Sequence, residues 1–171
     1  VPSIILTGFM GTGKTAVGQE IARRLARTFV DTDALVVEST GQSISDIFAH
    51  AGEARFRELE RAAVARACTL VDAVVATGGG AMLDRENRER MKIAGIVVCL
   101  HASEDSILER VGGDVARPLL QGGDARERLR TLAAQRADAY AAADHHVDTS
   151  ERSIAEVAET VMALLPATGA A

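Results

Sequence analysis

The sequence predicts a three-layer α/β/α fold, one domain over residues 1–171, built on a five-stranded, mostly parallel sheet with a mobile lid. Three observations lead to it. Short, continuously apolar runs such as Ile4-Ile5-Leu6, Ala73-Val74-Val75-Ala76 and Ile96-Val97-Val98-Cys99-Leu100 have the composition of strands buried on both faces. Helix-length segments separate them, the spacing that parallel strands need for their crossovers. A glycine-rich turn, Gly8-Phe9-Met10-Gly11-Thr12-Gly13-Lys14-Thr15, joins the first apolar run to the first helical segment.

Ile4 to Leu6 is the first strand and Ala16 to Arg27 the first helix. Phe29-Val30 forms the second strand and leads through Asp31-Thr32-Asp33 into a short helix over Ala34 to Glu38. Ser43 caps a helix over Ile44 to Ala49, with Asp46 as the acidic half of a capping box. Gly52 separates it from a longer helix, Glu53 to Thr69, whose Phe56, Leu59, Ala63 and Ala67 follow the helical period. The third strand, Ala73 to Ala76, ends at Gly78-Gly79-Gly80, and a charged helix follows over Arg85 to Met91. After the fourth strand, Ser103 caps a helix to Arg110, with Glu104 and Asp105 at the positive end of its dipole. Gly112-Gly113 and Gly122-Gly123, each followed by an aspartate (Asp114 and Asp124), bracket the lid at residues 112–123. A helix over Ala125 to Tyr140, a short strand His146-Val147-Asp148 and a helix over Ile154 to Leu165 complete the chain, with a frayed tail from Pro166.

The turn at residues 8–15 fits the spacing G-x-x-x-x-G-K-[ST], and phosphate chemistry explains each residue type. Glycines let consecutive backbone N–H groups turn inward around polyphosphate oxygens, and the following helix adds its own unpaired N–H groups. Lys14 reaches the β- and γ-phosphates, and the Thr15 hydroxyl is a ligand for Mg²⁺. The chain therefore handles a nucleotide.

Other residues gather at the same ends of the strands, where ligands of such sheets bind. Asp31 and Asp33 are two apart, so they share a face; one suits a Mg²⁺ shell and the other a hydroxyl that must lose its proton, or both cap a helix. Gly78-Gly79-Gly80 offers bare backbone N–H groups to a substrate. Arg57 lies beside the apolar stripe of its helix, in reach of Glu53 and Glu60, an arrangement that also suits a solvated face. Arg117, in Arg117-Pro118-Leu119-Leu120, sits inside the lid, where it can stabilise charge on a transferring phosphoryl group. Arg136 is a further helical arginine, four residues before Tyr140. The four histidines show no metal-ligand spacing with carboxylates.

Composition sets bounds on this reading. A net charge of −5, no Trp and a single Tyr argue against a nucleic-acid surface. Only Lys14 and Lys92 are lysines, so one of the two sits in the phosphate loop. Cys68 and Cys99 lie in apolar runs and read as small hydrophobes rather than zinc ligands. No signal-like start and no membrane-length apolar run are present, so the cytoplasm is expected, with no membrane partner and a monomeric state.

With these motifs in this order, the chain resembles the shikimate kinase family, of P-loop NTPase type. The resemblance rests on Gly8 to Thr15, Asp31-Thr32-Asp33, Gly41-x-Ser43-Ile44-x-Asp46-Ile47-Phe48, Gly52-Glu53-x-x-Phe56-Arg57-x-x-Glu60, Gly78-Gly79-Gly80, Arg117-Pro118-Leu119-Leu120 and Arg136-x-x-x-Tyr140. It covers nearly the whole length. It implies transfer of the γ-phosphoryl group of ATP to the 3-hydroxyl of shikimate, with Mg²⁺. It further implies that Arg57 and Arg136 clamp the substrate carboxylate, Asp33 meets the ring hydroxyls as candidate base, and Gly78, Gly79 and Gly80 line the substrate. Gly11, Thr12, Gly13, Lys14, Thr15 and Ala16 hold the nucleotide phosphates, and Asp31 joins Thr15 at the metal. Arg110, with Arg152 and Ser153, flanks adenine. Asp138 stands where the family pattern suggests a proline, a departure expected to affect helix geometry more than chemistry. The rivals are another small kinase, such as a gluconate kinase, a nucleotide-dependent switch, for which no N-K-x-D motif occurs, and a binding-only relative.

Overall fold

Every strand pairing in the sheet is parallel, so the expected mostly parallel sheet is wholly so among the described residues. The computed structural model describes residues 2–111 and 124–166. Five strands, β1 (Ser3–Gly8), β2 (Thr28–Asp31), β3 (Ala73–Ala76), β4 (Gly95–His101) and β5 (His145–Asp148), lie in the order β2-β3-β1-β4-β5. Helices α1 (Lys14–Leu25), α2 (Thr32–Thr40), α3 (Ile44–Ala67), α4 (Arg85–Ala94), α5 (Glu104–Val111), α6 (Ala125–Tyr140) and α7 (Ile154–Ala163) surround it.

The period of two along β1 sorts the core into layers. Ile4 and Leu6 face Val17 and Ile21 of α1 and Val157 and Val161 of α7. Ile5 faces the other way, toward Val64 and Ala67 of α3 and Met91 of α4. All three strand residues are fully buried. Burying one such side chain is worth about 1.5–3 kcal/mol, so β1 anchors both layers of the sandwich.

Element types follow the sequence, while several boundaries move for identifiable reasons. Helix α1 starts at Lys14 rather than Ala16, because Gly13 takes φ 94° at the N-cap, and it stops at Leu25 because Ala26 turns left-handed and donates its N–H to the Ala22 carbonyl. Helix α2 is longer than expected because the Asp31 carboxylate caps it, accepting the Asp33 and Ala34 N–H groups. The two helices expected on either side of Gly52 run as α3, broken at Gly52 by φ 81° and ψ 171°. Ser43 caps that helix, but its box is incomplete: the Asp46 carboxylate accepts from the Ser43 hydroxyl rather than from its N–H. A complete box instead joins Ser153 and Glu156 at α7. A short 3₁₀ turn, Ala81–Leu83, follows the triple glycine and is an addition to the expected elements. Helix α6 runs unbroken through Asp138 to Tyr140. The lid at 112–123, with Arg117, and the tail from residue 167 lie outside the described residues.

Because β2, β3 and β1 are neighbours, their carboxyl ends bring Asp31 to Asp33, Gly78 to Gly80 and the phosphate loop side by side. Three motifs far apart in sequence thereby share one edge.

Candidate active site

The phosphate loop is closed on itself by its own polar groups. Lys14 Nζ donates to the Gly8 and Phe9 carbonyls, each at 2.8 Å, so the ammonium lies across the mouth of the loop. The buried Thr12 hydroxyl donates to the Phe9 carbonyl at 2.7 Å and braces the turn from inside. A cleft of about 490 Å³ opens above, lined by Gly11 to Val17, Asp31, Asp33, Thr77, Gly78, Gly79, Arg110, Thr149, Arg152, Ile154 and Val157. Every phosphate-loop residue expected at the nucleotide is on that wall.

Thr15 Oγ1 donates to Asp31 Oδ2 at 2.7 Å. Asp31 Oδ1 accepts the Asp33 N–H at 2.9 Å, so helix capping aims the carboxylate at Thr15. The capping role of Asp31 is thus present, and it leaves Oδ2 beside the Thr15 hydroxyl. A hydroxyl and a carboxylate oxygen side by side are hard oxygen donors of the kind Mg²⁺ prefers, and they adjoin the cradle where phosphate oxygens would complete its shell. The residues fit ATP with Mg²⁺.

The expected adenine neighbours are held in place rather than loose. Arg110 donates to the Gly11 carbonyl and to both oxygens of Thr149. Arg152 donates to the Asp148 and Glu156 carbonyls and to the Thr160 hydroxyl. Both line the cleft, beside the apolar Ile154 and Val157. The Ser153 hydroxyl is engaged in capping α7.

The triple glycine is a shelf beneath four charged side chains. A Cβ at Gly78 would stand 2.6 Å from Glu60 Oε1 and 2.8 Å from Asp33 Oδ1. At Gly79 it would meet Arg136 Nη1 at 3.1 Å, and at Gly80 it would run into the Arg57 guanidinium. With glycine at these positions the charged side chains approach the backbone more closely than a Cβ would allow without their moving aside. Arg57 and Arg136, 79 positions apart in the numbering (136 − 57), thus converge on adjacent residues of one loop.

Their environments differ. Arg57 bonds Glu60 Oε2 at 2.8 Å and Glu53 Oε1 at 3.1 Å, and its guanidinium lies 5.2 Å from the Phe56 ring centre. The surface-type pairing and the approach to Gly80 are therefore both present. Arg136 is only 3% exposed, and its guanidinium lies 5.4 Å from the Phe9 ring centre. Its Nη1 has no hydrogen-bond partner among the described residues. A buried cation with an unmet donor is costly unless an anion arrives to meet it.

Glu60, 2% exposed, was not singled out as a site residue by its sequence position. Burial raises its pKa; Arg57 opposes that shift and the neighbouring Asp33 adds to it. A carboxyl with a raised folded pKa holds its proton more tightly in the folded chain, so its stabilisation is complete below the usual 4.5 and is lost as pH rises through the raised value. Glu60→Gln should remove that loss. Thermal unfolding from about pH 4 to about pH 8 should show the variant gaining on the unaltered chain as pH rises; parallel curves would contradict the assignment.

Residues 10–166 match the family model described as shikimate kinase. The chain belongs to the shikimate kinase family. A shikimate kinase of Geobacter sulfurreducens is 48% identical over 155 residues, covering 91% of this chain and 86% of that protein. A structure described as shikimate kinase from Acinetobacter baumannii in complex with shikimate superposes with a TM-score of 0.93 at 36% identity, over 96% of this chain and 92% of that one. A gluconokinase structure from Sinorhizobium meliloti, at 20% identity and a TM-score of 0.55, shares the fold alone. No described helix is long and apolar enough to cross a membrane.

Three partners of the site were missed by sequence reasoning: Tyr140 as a donor to Gly79, Phe9 beneath Arg136, and Thr32, whose hydroxyl accepts the Gly78 N–H at 3.1 Å. Glu60 is legible in the sequence only as an ion-pair partner of Arg57, and its burial is not. For Tyr140 a signal existed, since a residue four after Arg136 shares its helix face.

Proposed function

We propose that the chain transfers the γ-phosphoryl group of ATP to the 3-hydroxyl of shikimate, with Mg²⁺, giving shikimate 3-phosphate and ADP in aromatic amino acid biosynthesis. The observation that carries this reading is Arg136: a buried guanidinium with an unmet donor, facing Gly79 beside Arg57, next to a triphosphate cradle. A small carboxylate substrate satisfies both guanidinium groups, and its ring then extends toward Asp33 and the cleft.

In this reading Lys14 and the loop N–H groups stabilise charge on the β- and γ-phosphates. Bound Mg²⁺ supplies neutralisation of the same charge, next to Thr15 and Asp31. Asp33 orients the attacking hydroxyl and accepts its proton as the new phosphorus–oxygen bond forms and the bond to the leaving ADP oxygen breaks. Gly78, Gly79 and Gly80 support the ring and its carboxylate, Arg110 and Arg152 border the base, and Arg117 of the lid supports the transferring group. We place the enzyme in the cytoplasm as a monomer, acting on small molecules and on neither nucleic acid nor membrane.

One assay tests this reading. ADP release measured in parallel with shikimate, gluconate and nucleoside monophosphates should show turnover with shikimate alone. Turnover with gluconate or a nucleotide in its place would overturn it.

A further inference from the structure

The Gly79–Gly80 peptide is held from behind. Tyr140, on the last turn of α6, donates its hydroxyl to the Gly79 carbonyl at 2.5 Å. No described peptide bond is cis, so the Gly80 N–H, in the same plane as that carbonyl, points the opposite way. Of the neighbouring amides, the Gly78 N–H is engaged by the Thr32 hydroxyl and the Ala81 N–H by the Gly78 carbonyl, while the Gly79 N–H, like that of Gly80, has no acceptor among the described residues. Beside the Gly80 N–H lie the Arg57 guanidinium, against Gly80, and Arg136 Nη1, against Gly79.

We propose that Tyr140 is a positioning residue for the carboxylate subsite. By holding the Gly79 carbonyl it turns the Gly80 N–H into the space between the two guanidinium groups. It also docks α6 on the shelf, which sets Arg136, one helical turn earlier, at its working distance. The ring alone would be served by phenylalanine; the hydroxyl is what the shelf uses. Burial pushes the Tyr140 phenol up to about 12, so it stays protonated and remains a donor across the physiological range. This inference rests on the proposed function, because it names the group that the Gly80 N–H is to meet.

The test compares Tyr140→Phe with the unaltered chain by calorimetric titration and steady-state kinetics. Losing one hydrogen bond that serves a charged ligand predicts a shikimate Kd and KM raised about tenfold. The ATP KM should stay within about twofold and the melting temperature within about 3 °C, since the ring still packs. A merely structural role would lower stability and weaken both ligands together, and that outcome overturns the proposal, as does an unchanged shikimate Kd. Hydrogen exchange on the unaltered chain gives a second reading that needs no variant: shikimate should slow exchange of the Gly80 amide, and an unprotected amide overturns the proposal. Failure of the unaltered chain to bind shikimate at all would instead remove the functional reading itself.

Discussion

Lys14→Ala should lower the rate of phosphoryl transfer by about a thousandfold, the size expected when a positioned charge on a transferring group is removed. The fold should survive. Lys14 is half-buried and its ammonium bonds two carbonyls of its own loop, so its removal should cost about 1 kcal/mol of stability. Single-turnover measurement with ATP and shikimate reads the rate, and thermal unfolding reads the fold. A folded variant retaining a tenth of the activity would remove Lys14 from the reacting phosphates. The loop would then be a structural turn.

Arg57→Ala should act on two quantities at once. Shikimate affinity should fall about a hundredfold, because a charged pair in a desolvated site is broken. ATP affinity should hardly change, since Arg57 is absent from the wall of the nucleotide cleft. Stability should fall by about 3 kcal/mol, because Glu60 remains buried without the cation that balances it. The double variant Arg57→Ala/Glu60→Gln separates these effects: it should recover much of the stability and none of the affinity. Equal losses for shikimate and ATP in the single variant would count against the clamp.

How far the sequence could be read depended on how local each signal was. The phosphate loop declares itself in eight consecutive residues, and apolar runs declare their strands, so the sheet and its cradle were legible. Helix ends were less so, because they turn on single backbone states such as the left-handed Ala26 or the Asp31 cap. Arg57 was ambiguous for a physical reason. Its neighbours Glu53 and Glu60 are spaced like a solvent-exposed ion-pair ladder, and only tertiary packing shows Glu60 buried and Gly80 against the guanidinium. Phe9 with Arg136 and Tyr140 with Gly79 join positions far apart along the chain, where no periodicity points from one to the other. The expectation that Arg136 meets a carboxylate came from the resemblance to a family, not from its own sequence context.

The pairing of β1 with β3 has a bearing on which acceptors such an enzyme can adopt. The two strands are locked Ile4 to Val74 through Leu6 to Ala76, and the Thr77 N–H continues the ladder to the Leu6 carbonyl at 2.9 Å. The gap between the strand ends that carry the phosphate loop and the triple glycine is thus set by the register of the sheet. Sliding one strand while keeping its faces would change that gap by about 6.6 Å, against roughly 1.5 Å for one more carbon in a substrate. Altered preference is therefore to be sought among molecules of equal span that differ in their substituents, rather than among longer homologues.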